Sequence, residues 1–207
     1  MPPADRFVPR FAAEPPQEGL PYGRWADRLA EAFLAACAGV QPDDGDELGE
    51  PGDIAWHPDR TYEGRTYVPA SAPTSTGLEL FGYVSFPRAA EGEEPDDLRA
   101  TADVTGETAE RNPQWRLDLC DEVIGRWRGE QGRAAAVTLV WGRALVNGAI
   151  ATAELADLVV DQCPLAEERF ALIAPDDYRS DYLEIALYDR GGREVARESL
   201  YEEDGED

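Results

Sequence analysis

The chain has 207 residues, with 43 Asp plus Glu against 19 basic residues that are all Arg, one His and three Cys, for a formal net charge of −24. That charge repels nucleic acid, whose affinity for proteins comes largely from cations that neutralise phosphates, and no apolar run approaches the roughly 20 residues of a membrane helix. Composition excludes collagen, coiled coil and a small disulfide scaffold, while a hydrophobic fraction of 43% suffices for a buried core.

Residues 1–21 contain Pro2, Pro3, Pro9, Pro15, Pro16 and Pro21 and are expected to form an extended or disordered arm. Trp25, Leu29, Ala32, Phe33, Ala36 and Cys37 then recur at three- and four-residue steps, which predicts an amphipathic helix within Tyr22–Val40, stopped by Gly39 and Pro42. Residues 41–53, residues 89–97 and the tail 202–207 are rich in acids and poor in apolar side chains. All three read as solvated loops or ends around a single β-rich domain spanning residues 22–201.

The segment RTYEGRTY, residues 60–67, repeats Arg-Thr-Tyr about Glu63-Gly64. A two-residue turn would pair Tyr62 with Arg65, Thr61 with Thr66 and Arg60 with Tyr67, but Glu63 is a poor first turn residue and a longer loop stays open. Leu78, Leu80, Gly82, Val84 and Phe86 alternate with Glu79, Phe81, Tyr83 and Ser85, predicting a strand with one fully apolar face. Residues 112–128 fit a strand better than a helix, and residues 152–160 fit either.

Ala134–Trp141 is a nearly unbroken apolar run, as in a central strand covered on both sides. Val123–Arg128, through the turn GEQG at residues 129–132, would complete a meander with it. Asn147-Gly148 suits the two positive φ angles of a type I′ hairpin, with Val146 facing Ala149 and Leu145 facing Ile150. Near the end, a three-residue loop Arg190–Gly192 would set Asp189 opposite Arg193 and Leu187 opposite Val195; a two-residue loop would set Ile185 opposite Glu198. The expected fold class is α+β, mainly β: an antiparallel sheet or β-sandwich with one N-terminal amphipathic helix packed on it.

Motifs for known chemistry are scarce. His57 is the only histidine. It is a general base oriented by Asp59 in a functional reading, and a half-exposed residue pinned by Pro58 in a structural one. A serine-hydrolase elbow, a multi-histidine zinc site, a Gly-rich dinucleotide loop and a lysine-bearing phosphate loop are all missing, so no cofactor is expected. Asp44 and Asp46 fail the EF-hand spacing at Leu48; Asp176, Asp177 and Asp181 form a weaker candidate for a divalent cation.

Trp56, Arg60, Tyr62, Arg65 and Tyr67 make the best binding patch, since Trp, Tyr and Arg dominate interfaces. Cys37, Cys120 and Cys163 lack zinc or disulfide-framework spacing and read as buried thiols in a cytoplasmic protein. Three functions compete. The leading one is a non-catalytic acidic binding or interaction protein, whose field would steer a basic protein partner. The others are a hydrolase-type enzyme using His57 with a nearby carboxylate, and a structural component of a larger assembly.

Overall fold

The computed structural model describes residues 11, 13, 14, 16, 24–42, 46–87, 96–129, 134–176 and 182–200. One helix and twelve strands follow in chain order: α1 (Arg24–Cys37), β1 (Ala55–Trp56), β2 (Arg60–Tyr62), β3 (Arg65–Pro73), β4 (Glu79–Pro87), β5 (Arg99–Thr105), β6 (Leu117–Arg128), β7 (Ala134–Ala144), β8 (Ile150–Leu155), β9 (Leu158–Pro164), β10 (Arg169–Asp176), β11 (Leu183–Tyr188) and β12 (Glu194–Ser199). The protein is α+β and mainly β, with the helix packed on antiparallel sheet. No described helix is long and apolar enough to cross a membrane.

The strands form three sheets: a first of β1–β5, a middle one in the order β10-β7-β6, and a third in the order β12-β11-β8-β9. The side-chain period of two explains how they stack. Along β4, Leu80 and Val84 face one way and join Val68, Ala70 and Ala72 of β3 under the helix stripe Leu29, Phe33 and Cys37. Phe81 and Tyr83 face the other way, toward Val137, Leu139 and Trp141 of β7 and Ala171 and Ile173 of β10. The opposite face of the middle sheet, Val140, Phe170, Leu172 and Ala174, packs on Ala151, Ala153, Leu155, Leu183, Ile185 and Leu187 of the third sheet. The order of layers is helix, first sheet, middle sheet, third sheet. The run from Ala134 is therefore covered on both faces, as its unbroken apolar character requires.

RTYEGRTY forms the two-residue hairpin, pairing Arg60 with Tyr67, Thr61 with Thr66 and Tyr62 with Arg65. Glu63 takes a φ of 48° and Gly64 one of 75°, so the favourable cross-strand pairs outweigh the strain at Glu63. Residues 117–128 are strand, and residues 150–164 are two strands joined by a turn at Ala156-Asp157.

Asn147-Gly148, by contrast, is not a hairpin: β7 pairs with β6 and β10, whereas β8 pairs with β9 and β11. The Leu145 N–H donates to the Arg116 carbonyl at 2.9 Å and the Ala149 N–H to the Tyr188 carbonyl at 2.8 Å, so the chain crosses there from the middle sheet to the third. At the last hairpin the three-residue loop forms, with Gly192 at a φ of 76° and the Asp189 N–H donating to the Arg193 carbonyl at 2.9 Å. A bulge then shifts the register, so Leu187 faces Ala196 and Ile185 faces Glu198, the pairing expected of the shorter loop.

The acidic loop before β1 is tied down rather than simply solvated. The Ser75 N–H donates to the Glu50 carbonyl at 3.0 Å, the Gly52 N–H to the Pro73 carbonyl at 2.7 Å, and the Thr76 hydroxyl to the Leu48 carbonyl at 2.8 Å. The hydroxyl-rich run SAPTST, residues 71–76, is the end of β3 and the turn that holds this loop.

Candidate functional site

Beyond the contact between Trp141 and Phe81, whose ring centres lie 6.3 Å apart, the first and middle sheets leave a cleft of about 360 Å³. Antiparallel register builds its wall. Arg143 of β7 pairs with Asp118 of β6 on one side and with Arg169 of β10 on the other, so the three charges form one row across the end of the middle sheet. They share a face with Cys120 and Trp141 two residues away. The first sheet supplies Ser71 from β3 and Glu79 from β4; His57, just after β1, and Glu110 also line the cavity. A second cavity of about 190 Å³ shares Glu79, Asp118 and Cys120 with the first.

Electrostatics divides the cleft into two ends. His57 is only 3% exposed and its pKa is pushed down to about 3, first by burial and then by Arg169 and Arg143. The Phe170 and Gly142 carbonyls, placed to accept from the ring, oppose this. Both ring nitrogens are fully buried. Trp141, 1% exposed, has an indole N–H in the same condition.

At the other end, burial pushes the Glu79 carboxyl up; Asp118 and Glu110 add to the shift, while Ser71 and Arg143 oppose it. Burial raises Asp118 too, with Arg143, 3.8 Å away, pulling it down. The Cys120 thiol is held well above its ordinary range by burial and by the carboxylates of Glu79, Asp118 and Asp121, so it stays protonated and a poor nucleophile. The cleft therefore offers two guanidinium groups, of Arg143 and Arg169, and the carboxyl groups of Glu79 and Asp118.

The residues singled out in the sequence scatter differently. Asp59 is buried, but its charge acts on Cys163; the charges that act on His57 are the two arginines. Trp56 packs on Phe33 with ring centres 6.2 Å apart, and Tyr67 meets Tyr83 edge-on at 5.4 Å. Arg60 is fully buried and bonded to Asp161, Tyr62 donates its hydroxyl to the Arg126 carbonyl at 3.2 Å, and Arg65 holds Ser85 and Asp97. Arg60, Tyr62, Arg65 and Tyr67 share the face of the first sheet toward the middle sheet, whereas Trp56 lies on the helix face.

Asp176 is buried at the end of β10, where it accepts the Leu183 N–H at 3.3 Å; Asp177 and Asp181 lie outside the described residues. Among the described residues no group of three His, Cys, Asp or Glu could hold a metal ion. None of the three cysteines is in a disulfide. Comparison of the chain with protein-family models, curated proteins and solved structures finds no match.

Proposed function

We propose that this is a non-catalytic binding protein of the cytoplasm and that the cleft between its first and middle sheets is the recognition site. One observation carries the reading: the cleft is lined by fixed charges of both signs, yet its sole imidazole sits beside two arginines and is held neutral. Such a wall recognises, and its imidazole is not a poised base. The cleft volume is at the small end of the roughly 300–1,000 Å³ of ligand pockets, which favours a small polar ligand or one side chain of a partner. The net charge of −24 adds a long-range attraction for cations and basic proteins that weakens as salt shortens the screening length below about 10 Å.

Thermal unfolding in the presence of simple amines, carboxylates, zwitterions and neutral sugars tests the reading. At least one class should raise the midpoint of the wild type and leave that of the Glu79→Gln/Arg143→Gln double variant unmoved. A panel in which no class does so would overturn it.

A second reading, a hydrolase using His57, is favoured by the presence of Glu79 and Asp118 in the same cavity. It requires turnover of a p-nitrophenyl ester or glycoside that disappears in His57→Ala.

A further inference from the structure

We infer that the cleft takes a small zwitterionic ligand of the ω-amino-acid class, its carboxylate set toward Arg169 and Arg143 and its ammonium toward Glu79 and Asp118. This deepens the binding reading and rests on it. The row Asp118, Arg143, Arg169 runs across three adjacent strands, so its outer members stand on backbones about 10 Å apart, two steps of roughly 4.8 Å. Charge therefore changes sign along the cleft.

Two independent observations support a ligand with both charges. First, the guanidinium groups of Arg143 and Arg169 both line the cleft, and a carboxylate accepts charge-assisted hydrogen bonds from such groups. Arg169 lines the cleft with its Nη1 donating to the Trp56 carbonyl at 3.4 Å and lying 3.7 Å from Glu167 Oε2. Second, Glu79 lies on the facing sheet and Asp118 on the middle one, so an ammonium between them meets a carboxylate on each side. Glu79 and Asp118 repel each other, and Arg143 opposes the upward shift in both. A ligand with one charge satisfies one end and leaves the other as it was.

Isothermal titration with four compounds tests the assignment: 6-aminohexanoate, hexanoate, hexylammonium and glycine. The wild type should bind 6-aminohexanoate at least tenfold more tightly than hexanoate or hexylammonium, because only it spans both ends; glycine, whose charges are adjacent, should bind more weakly. Arg169→Gln should lower the affinity for 6-aminohexanoate to that for hexylammonium, and Glu79→Gln should lower it to that for hexanoate. Arg169→Lys should keep most of the wild-type preference, and far-UV circular dichroism checks that each variant is folded.

Equal affinity for a singly charged compound would overturn the zwitterion while leaving the binding reading in place. The same holds if none of the four binds but another class of the thermal panel does. Binding of 6-aminohexanoate that neither Arg169→Gln nor Glu79→Gln changes would also overturn the proposal, since the ligand would then sit elsewhere.

Discussion

Arg60 on β2 and Asp161 on β9 join the first sheet to the third past the edge of the middle one. One Arg60 guanidinium nitrogen donates to both carboxylate oxygens, at 2.7 and 2.6 Å. Asp161 also accepts the Ile173 N–H at 2.8 Å, closing part of the open edge of β10, and the Gln162 N–H at 2.8 Å. The pair is buried, and Nε and Nη1 of Arg60 have no partner among the described residues.

Removing one member of this pair strands a charge in the interior, so Asp161→Asn should destabilise the fold by about 3–5 kcal/mol. The Arg60→Met/Asp161→Leu double variant should lose much less, because apolar replacement removes both desolvation penalties. The Ile173 N–H still loses its acceptor, which keeps the double variant below the wild type. Urea midpoints of the three proteins decide this. A double variant as unstable as Asp161→Asn would show that the loss comes from packing rather than charge.

His57 gives the stability a pH dependence of known sign. Its folded pKa is about 3 against an ordinary value of 6.5, so the unfolded chain takes up the proton first. The contribution is complete above pH 6.5 and declines as the pH falls toward 3. Each pH unit inside that window is worth up to about 1.4 kcal/mol for one proton. Wild type should therefore lose roughly 2–3 kcal/mol more than His57→Gln between pH 6.5 and 4.5. Urea unfolding of both proteins at the two pH values isolates the difference, since the carboxylates titrate alike in each.

The parts of the fold legible in the sequence are those whose partners are near in the chain. RTYEGRTY shows its own register because both strands lie within eight residues, and the apolar run at Ala134 announces a strand covered on both faces. Asn147-Gly148 misleads because the competing acceptors, the carbonyls of Arg116 and Tyr188, belong to distant segments that no local pattern reveals. The cleft is hidden for the same reason. Asp118, Arg143 and Arg169 are ordinary surface-type residues until two strand registers align them, while from the cluster that stood out in sequence Trp56 and Tyr67 pack in the layers and Arg60 enters a buried ion pair.

Gly148 is used for close approach rather than for a turn. A Cβ there would lie 2.5 Å from Leu187 Cδ1 and 2.6 Å from its Cγ, and Leu187 is fully buried in the core between the middle and third sheets. The crowding reaches the branch point of the side chain, so rotation of a terminal methyl cannot relieve it. Gly148→Ala should destabilise the protein by about 1–3 kcal/mol, as overpacking does. Gly148→Ala combined with Leu187→Ala should recover part of the loss, measured as a coupling energy in denaturant titrations.

Glu79 ties the site to stability with the opposite pH sign to His57. Burial and Asp118 raise its folded pKa above the ordinary 4.5, so its charged form is penalised in the native state. That penalty is absent at low pH, where the group is protonated in both states, and grows as the pH rises through the folded pKa. Glu79→Gln keeps the shape without the charge, and should raise the unfolding midpoint at pH 7 while leaving it unchanged at pH 3.5. The gain should stay below about 1 kcal/mol, because the side chain is partly exposed and screened by solvent. Loss of ligand affinity in the same variant would mark Glu79 as held at a stability cost for recognition, the pattern expected of functional charges. A midpoint lowered at pH 7 would show that Glu79 is a net stabilising partner of Ser71 and Arg143, and that its charge needs no ligand to offset it.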